Sequence, residues 1–285
     1  MSASQRPAYL YRPMTAADVP AAHALSVQLK WPHRLEDWAM LQRVSEGFVV
    51  EDGGRLIGTA FACPQGDFAT IGLVIVSNDY QGQGIGRQLM EQALEACGSR
   101  TAVLNATLAG APLYASQGFI EFGLVQQHQG QAQVPAPVSL PAGEQCRPLR
   151  KADRVRQLTL ASAGSGLDRQ TVLDDLFDAV EHSVGIERDG QLRAFAMLRP
   201  FGRGRGIGPV IAENLEQAKH LIAVLLAQVP DAFVRIDIPA GSGLSEWLEE
   251  AGLKQVDTVA QMARGTPPQA VGIVRQFALV TQAIG

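Results

Sequence analysis

Three glycines at alternate positions, Gly82, Gly84 and Gly86, form the most specific chemical pattern in the chain. They follow an apolar, β-branched run from Ile71 to Val76, which predicts a buried strand. They precede an amphipathic segment from Ile85 to Cys97, which predicts a helix. The N-terminus of a helix offers free N–H groups and a positive dipole end, and glycines let a ligand approach the backbone. The pattern therefore predicts a phosphate-binding loop.

Three phosphate-binding motifs compete for these glycines. A Walker loop needs a Lys-Ser/Thr pair after its last glycine, and none follows here. A dinucleotide fingerprint needs a third glycine where Arg87 stands, and an acid on the next strand, which carries Asn105 instead. The third motif, Gln/Arg-x-x-Gly-x-Gly/Ala, is matched by Gln81, Gly84 and Gly86. This stretch resembles the pyrophosphate loop of GCN5-related N-acetyltransferases (GNAT), which bind acetyl-CoA; a ligand-free glycine turn is the remaining alternative.

A second pattern at the proper distance supports the same resemblance. Leu113-Tyr114 and Gly118-Phe119 match the family's Leu-Tyr-x-x-x-Gly-Phe. The predicted order of elements over residues 8 to 128 (strand, two helices, three strands, helix, strand, helix, strand) is also that of the family. The resemblance implies an α/β fold with a mixed sheet, in which the strands before and after the glycine-loop helix run parallel.

The second half of the chain repeats the first. Residues 147–153 echo residues 12–18 at an offset of 135, and residues 250–253 echo residues 116–119 at an offset of 134. Near-equal offsets over more than a hundred residues indicate a tandem duplication.

The duplication predicts two GNAT-like domains and a linker. The first domain is residues 1–128, which binds acetyl-CoA. Residues 129–144 are rich in Gln, Pro, Ala and Gly and form the linker. Residues 145–285 form a degenerate second domain, whose apolar segment from Val271 to Val280 adds a strand to one of the two domains.

The second domain lacks the glycine loop. At an offset of 135, Glu216 takes the place of Gln81 and Lys219 takes the place of Gly84, within a plain helix predicted over 214–228. We therefore expect one cofactor site per chain.

The resemblance also implies the roles of individual residues. The backbone of the strand before the loop would pair with pantetheine, the loop would hold the pyrophosphate, and Tyr114 would be the general acid. A phenol of pKa ~10 nearly matches a thiol of pKa ~8.5. The implied cofactor-binding residues are Val74, Val76, Gln81, Gly82, Gln83, Gly84, Ile85, Gly86, Arg87 and Asn105.

The sequence defines the site for the molecule that accepts the acetyl group less well. Trp31, His33 and Asp67 lie where the family's acceptor site is usually covered or entered. Their types alone favour a surface role for His33 and Asp67 and core packing for Trp31. No nucleophilic elbow, Cys/His pair or metal-ligand spacing occurs, and no general base stands out. The sequence therefore indicates direct transfer without a metal or a covalent acetyl-enzyme.

Composition limits the partners. A net charge of −4 and a pI near 5.8 exclude a general nucleic-acid binder and slightly favour a cationic substrate. Met1 to Pro13 has no apolar signal core, and no apolar run reaches the ~18 residues that span a membrane. Three cysteines without metal spacing indicate reduced thiols. We expect a cytoplasmic protein that acts away from membranes.

Two functions follow from these observations. The first is an N-acetyltransferase that moves the acetyl group of acetyl-CoA to a primary amine of a small molecule or peptide. In this acetyltransferase, the second domain would form a wall of the acceptor pocket or support a homodimer. The alternative is a non-catalytic acetyl-CoA sensor or partner-binding module, which fits the missing base and the degenerate second copy.

Overall fold

The structure, a computed structural model, describes residues 9–285; residues 1–8, the start of the predicted first domain, lie outside the described residues. The helices and strands of the first half are β1 (Leu10–Pro13), α1 (Val19–Gln28), α2 (Leu35–Val44), β2 (Glu46–Asp52), β3 (Arg55–Gln65), β4 (Phe68–Val76), α3 (Ile85–Cys97), β5 (Thr101–Ala106), α4 (Ala111–Ser116) and β6 (Ile120–Gln131). Between residues 9 and 285, no helix has both the length and the apolarity to cross a membrane.

The second half repeats this order element by element. Its helices and strands are β7 (Glu144–Pro148), α5 (Arg154–Ser165), α6 (Gln170–Leu176), β8 (His182–Arg188), β9 (Gln191–Phe201), β10 (Gly204–Ala212), α7 (Leu215–Ala227), β11 (Phe233–Pro239), α8 (Ser245–Glu250) and β12 (Lys254–Arg264). A further strand, β13 (Arg275–Ala278), pairs with β10, so the predicted extra strand joins the second half. The predicted duplication of an α/β fold is confirmed.

The residues repeated at the start of each half form an ion pair, Arg12–Asp18 in the first half and Arg147–Asp153 in the second. Each pair closes the turn before the first helix of its half. Arg12 Nη2 lies 2.7 Å from Asp18, and Arg147 Nη2 lies 2.9 Å from Asp153. Each carboxylate also accepts a backbone N–H from three residues earlier, at 2.8 Å. The paired guanidinium lowers the pKa of Asp18 and of Asp153, because it favours the charged form of the carboxyl.

One sheet runs through both halves, and the halves exchange their last strands. The strand order is β1-β2-β3-β4-β5-β12-β6-β11-β10-β9-β8-β7. Thus β12 of the second half pairs with β5 of the first, β6 of the first half pairs with β11 of the second, and β6 and β12 pair with each other. Neither half can complete its own sheet.

The exchange corrects the predicted strand and linker boundaries. The sequence predicts a last strand from Phe119 to Gln126, followed by a linker over 129–144. In the structure β6 continues to Gln131, because β11 of the other half pairs with its glutamine-rich end, and Glu144 begins β7. The connection without helix or strand is therefore residues 132–143.

Helices cover both faces of the sheet. Side chains of α3 and α7 pack on one face, each against its own half. On the other face α1, α2, α5 and α6 contribute to a single core, in which Trp38 and Leu173 are fully buried. An ion pair of 2.6 Å between Arg43 of α2 and Asp175 of α6 also links the halves.

Strand exchange predicts that the halves fold only together. Fragments 1–137 and 138–285, cut within the connection, should each fail to unfold cooperatively when expressed alone, because each lacks a central strand of its sheet. Co-expressed, they should co-purify in equal amounts and show a cooperative thermal transition by circular dichroism. A soluble fragment 1–137 with its own cooperative transition would contradict the exchange.

Candidate active site

The candidate site is built around a β-bulge in β4. Leu73 and Val74 oppose the single residue Ala60 of β3, and Leu73 has a φ of +48°, a left-handed conformation that non-glycine residues rarely adopt. Thr59 Oγ1 donates a 2.7 Å hydrogen bond to the Leu73 carbonyl and holds the bulge. Backbone strain of this kind persists only where the surrounding structure enforces it, and it concentrates at functional sites.

The bulge turns β4 away from its parallel neighbour. β4 and β5 pair only from Phe68 to Ile71, opposite Thr101 to Leu104, which confirms the predicted parallel pairing. Beyond these residues the strands separate, and the β5-facing backbone groups from Gly72 to Val76 have no strand partner. A cleft of about 680 Å³ occupies the gap, and Val74 and Val76 line it.

The glycine loop closes one end of this cleft. Gly82 and Gly84 have φ values of +76° and +85°, and Gly84 is the N-cap of α3, with no side chain capping the helix. The backbone N–H groups from Gly82 to Arg87 have no acceptor among the described residues. Free N–H groups at a helix N-terminus fit a pyrophosphate.

The predicted loop side chains have different surroundings. Gln81 Nε2 donates to the Val76 carbonyl at 3.2 Å and braces the loop against β4. Arg87 donates to Ser116 Oγ at 3.2 Å and stays exposed at the rim. The Gln83 side chain lies outside the cleft, where the Tyr9 hydroxyl donates to it at 2.5 Å. Ile85 and Gly86 line the cleft together with Gln81, Gly82, Gly84 and Arg87.

Tyr114 of α4 also lines the cleft. The side chain is 9% exposed, and burial raises the pKa of its phenol to about 12. Gly110 makes room for it: a Cβ there would lie 2.9 Å from Tyr114 Cε2. The structure thus brings the predicted phenol and the predicted loop to one cleft.

The chain segment 279–285 fills the far end of the gap, which the sequence did not predict. It passes so closely over β4 that a Cβ on Gly72 would lie 2.6 Å from the Ala283 carbonyl oxygen. Asn105 Nδ2 donates to the Gln282 carbonyl at 2.7 Å, and the buried Arg169 and Gln65 donate to the Ile284 carbonyl at 2.7 and 3.0 Å. A glycine inside an apolar strand was the available signal for this close approach.

A second cavity of about 350 Å³ opens from the cleft beside this segment. Trp31, Gly72, Leu73, Asn105 and Thr107 line both spaces, so the two meet at the bulge. The Asn105 Oδ1 atom is buried there without a partner among the described residues.

The three residues predicted for the acceptor side lie in different surroundings in the structure. Trp31 lies at the junction of the two spaces, and His33 lines the second cavity. Burial, reinforced by the charge of Arg235, lowers the pKa of His33 to about 4, so it is neutral at pH 7. Asp67 is exposed in the β3–β4 turn and lines neither space, so we leave it out of the site.

The second half lacks the loop outright. Eight residues, 77–84, connect β4 to α3, whereas only two, 213–214, connect β10 to α7. Ile85 therefore corresponds to Leu215, which corrects the predicted match of Gly84 to Lys219: the loop residues are missing rather than replaced. Asn214 instead caps α7, accepting from Gln217 N at 2.9 Å.

Comparison with known proteins agrees with this fold. Two sequence families, each described as an acetyltransferase (GNAT) domain, match residues 44–121 and 156–274. The chain is 32% identical over 228 residues to the uncharacterized N-acetyltransferase YitH of Bacillus subtilis, a match that covers 77% of this chain and 78% of that protein.

Solved structures share the fold over almost the whole length. A putative acetyltransferase from Pyrococcus horikoshii is similar with a TM-score of 0.78 at 18% identity, covering 97% of this chain and 96% of that one. A tandem GNAT protein from the clavulanic acid biosynthesis pathway has a TM-score of 0.65 at 16% identity, covering 91% and 99%.

The chain belongs to the GNAT acetyltransferase family. It carries two GNAT domains in tandem, as predicted, and the family makes it a transferase whose fold generally binds an acyl-CoA.

The loop geometry predicts a matched pair of variants. Gly84→Ala and Gly54→Ala each place a Cβ at a φ of +85° or +83° with no atom within 4 Å, so each should destabilise the protein by about 1 kcal/mol. Gly54 lies in the β2–β3 turn, away from the cleft. Only Gly84→Ala should reduce the rise in Tm that coenzyme A produces, measured by scanning fluorimetry. Equal responses of the two variants would exclude the loop from binding.

Proposed function

We propose that the protein is an N-acetyltransferase that moves the acetyl group of acetyl-CoA directly to a primary amine of a small acceptor. The observation that carries this proposal is the junction at Leu73, where the cleft bounded by the glycine loop meets a second, polar cavity. A donor and an acceptor that entered from these two sides would meet at one strained backbone position. Proximity of this kind is a large part of catalysis in bimolecular reactions.

The chain's backbone would bind the donor. The β5-facing backbone of Val74 and Val76, which no strand pairs, would bind pantetheine as a strand would, with the Val76 carbonyl shared with Gln81. The free N–H groups from Gly82 to Arg87 would hold the pyrophosphate. N–H groups at the bulge would stabilise the oxyanion that forms on the carbonyl. Asn105, whose Oδ1 has no partner among residues 9–285, would accept an N–H from the pantetheine amide or from the amine.

Tyr114 would act on the departing sulfur. Acetyl-CoA supplies a thioester whose thiolate must be protonated as it leaves. With a pKa of about 12 the phenol is a weaker acid than the sequence suggested, since an ordinary tyrosine has a pKa of ~10. It would therefore donate a hydrogen bond to the sulfur and complete proton transfer only as the amine loses its own proton.

None of the described residues that line both spaces (Trp31, Gly72, Leu73, Asn105 and Thr107) can act as a strong base. His33 has a pKa of about 4, and Asp37 is used to hold Arg34 and the backbone N–H of Gly202. We propose that the amine loses its proton to water. A covalent acetyl-cysteine does not fit either, because Cys63, Cys97 and Cys146 line neither space and burial raises the pKa of each thiol.

Binding and turnover test this proposal separately. Acetyl-CoA should raise the Tm of the full chain, because a ligand that binds only the folded state stabilises it. Release of free thiol from acetyl-CoA should then depend on adding a suitable amine from a pooled panel. Stabilisation without thiol release for any amine would favour the sensor function, and no stabilisation would reject both.

Tyr114→Phe should keep the Tm rise with acetyl-CoA and lose about 10²- to 10⁴-fold in kcat, because only the proton donor is removed. Tyr11→Phe is the matched control, since no described residue is hydrogen-bonded to its hydroxyl and its ring packs in the same core cluster. Steady-state thiol release measures both variants. Full turnover by Tyr114→Phe would remove the phenol from the mechanism.

The pH dependence follows from the raised pKa of Tyr114. The acid form is fully present below about 12 and is lost only as the pH rises through that value. Between about pH 6 and pH 10, kcat/KM should therefore rise as the amine loses its proton and should show no falling limb. A falling limb with a midpoint near pH 8 would mean that another group is the acid.

A further inference from the structure

The floor of the second cavity is a polar face made by the exchanged strands. Arg235 of β11 stands directly opposite Gln129 of β6, and Asp237 stands opposite Gln127, the next pair on the same face. Asp257 of β12 pairs with Gln127 from the other side. Side chains opposite each other in an antiparallel pair lie close enough to bind one ligand group.

Arg235 is buried, fixed and incompletely used. It is 9% exposed, and Nε and Nη2 each donate to Asp237 at 3.0 Å. Its guanidinium also lies 5.5 Å from the ring centre of Phe201. Nη1 donates to none of the described residues, although the side chain lines the cavity. An oriented guanidinium with one free donor group in a partly desolvated site is suited to a carboxylate oxygen.

Gln129 offers a second donor beside it. Its Oε1 accepts from Gln127 Nε2 at 3.1 Å, which fixes the orientation of the amide. Its Nε2 donates to none of the described residues, and the side chain lines the cavity. Two donor groups on neighbouring strands, Arg235 Nη1 and Gln129 Nε2, match the two oxygens of one carboxylate.

The charged residues around the cavity also favour an anionic ligand group. The charged residues that line it are Lys30, Arg203, Arg235 and Asp257. Counting Asp237, which pairs with Arg235, one positive charge remains in excess. The low pKa of His33 agrees, because Arg235 is among the groups that lower it. The whole-chain charge of −4 slightly favoured a cationic substrate, but these local charges oppose one.

A hydrogen-bonded chain joins this floor to the junction with the cleft. Gln282 Nε2 donates to Asp237 at 3.0 Å, and the Gln282 carbonyl accepts from Asn105. A molecule with an anionic end on Arg235 and an amine near Asn105 would span the cavity, whose volume of about 350 Å³ suits a small metabolite rather than a protein chain.

We infer that the acceptor is a small primary amine that carries a carboxylate, which Arg235 and Gln129 bind. This inference rests on the proposed acetyl transfer and concerns only which amines are used.

Matched acceptors test the inference. Thiol release would be measured for a series of ω-amino acids, their carboxamides, their phosphonate analogues and diamines of the same length. The amino acids should have kcat/KM values at least about ten-fold above those of the carboxamides and diamines, because a charge-assisted hydrogen bond is lost in the latter. Equal use of all four, or a preference for phosphonates or diamines, would overturn it.

Gln129→Glu sharpens the test with a nearly isosteric change. The added carboxylate should raise the KM of amino acids by about ten-fold or more and shift the preference toward diamines. Arg235→Gln combined with Asp237→Asn removes both charges of the buried pair and avoids leaving one charge uncompensated. It should abolish the preference for the carboxylate over the carboxamide.

Glu121→Gln is the control for a charge change, since Glu121 is exposed on the same strand as Gln129 and lines neither space. It should leave the preference unchanged. Thiol release with unchanged preference in the Gln129→Glu variant would overturn the carboxylate site while leaving acetyl transfer intact. Absence of thiol release with every amine would instead reject the proposed function itself.

Discussion

The separation of two parallel strands is the constraint on which the rest of the site depends. Backbone N–H and C=O groups in a sheet normally find partners, yet β4 stops pairing with β5 after Ile71 because the bulge at Leu73 turns it aside. The unpaired groups line a cleft, the glycine loop closes one end, and the 279–285 segment fills the other. A ligand that pairs like a strand fits between them.

The second half has no glycine-loop cleft of its own. It contributes strands and side chains to the surroundings of the first half's cleft. Its β10–α7 connection is too short to hold a phosphate, but its exchanged strand β12 completes the first half's sheet. The same exchange brings β6 beside β11, so that Gln129 of one half and Arg235 of the other share a cavity floor. The chain thus has one cleft bounded by a glycine loop and, beside it, one polar cavity to which both halves contribute.

Short sequence patterns predicted the elements and motifs of this molecule that depend only on residues close together in the chain. α3 has the bounds that the amphipathic pattern predicted, and β4 contains the predicted strand from Ile71 to Val76 but begins earlier, at Phe68. The residues around Gly84 and Tyr114 line one cleft. Strand exchange, the bulge and the path of residues 279–285 depend on contacts between residues far apart in sequence, which no local pattern encodes. Gly72, a glycine inside an apolar strand, was a local sign of a close approach.

Hydrogen–deuterium exchange of the full chain, with and without coenzyme A, tests the central claim most directly. We expect slower exchange in peptides that cover residues 72–87, which contain the free N–H groups from Gly82 to Arg87 and the β4 groups that face β5, and no change in peptides that cover the corresponding residues 208–217. Protection of 208–217, or none at 72–87, would contradict a single donor site between β4 and β5.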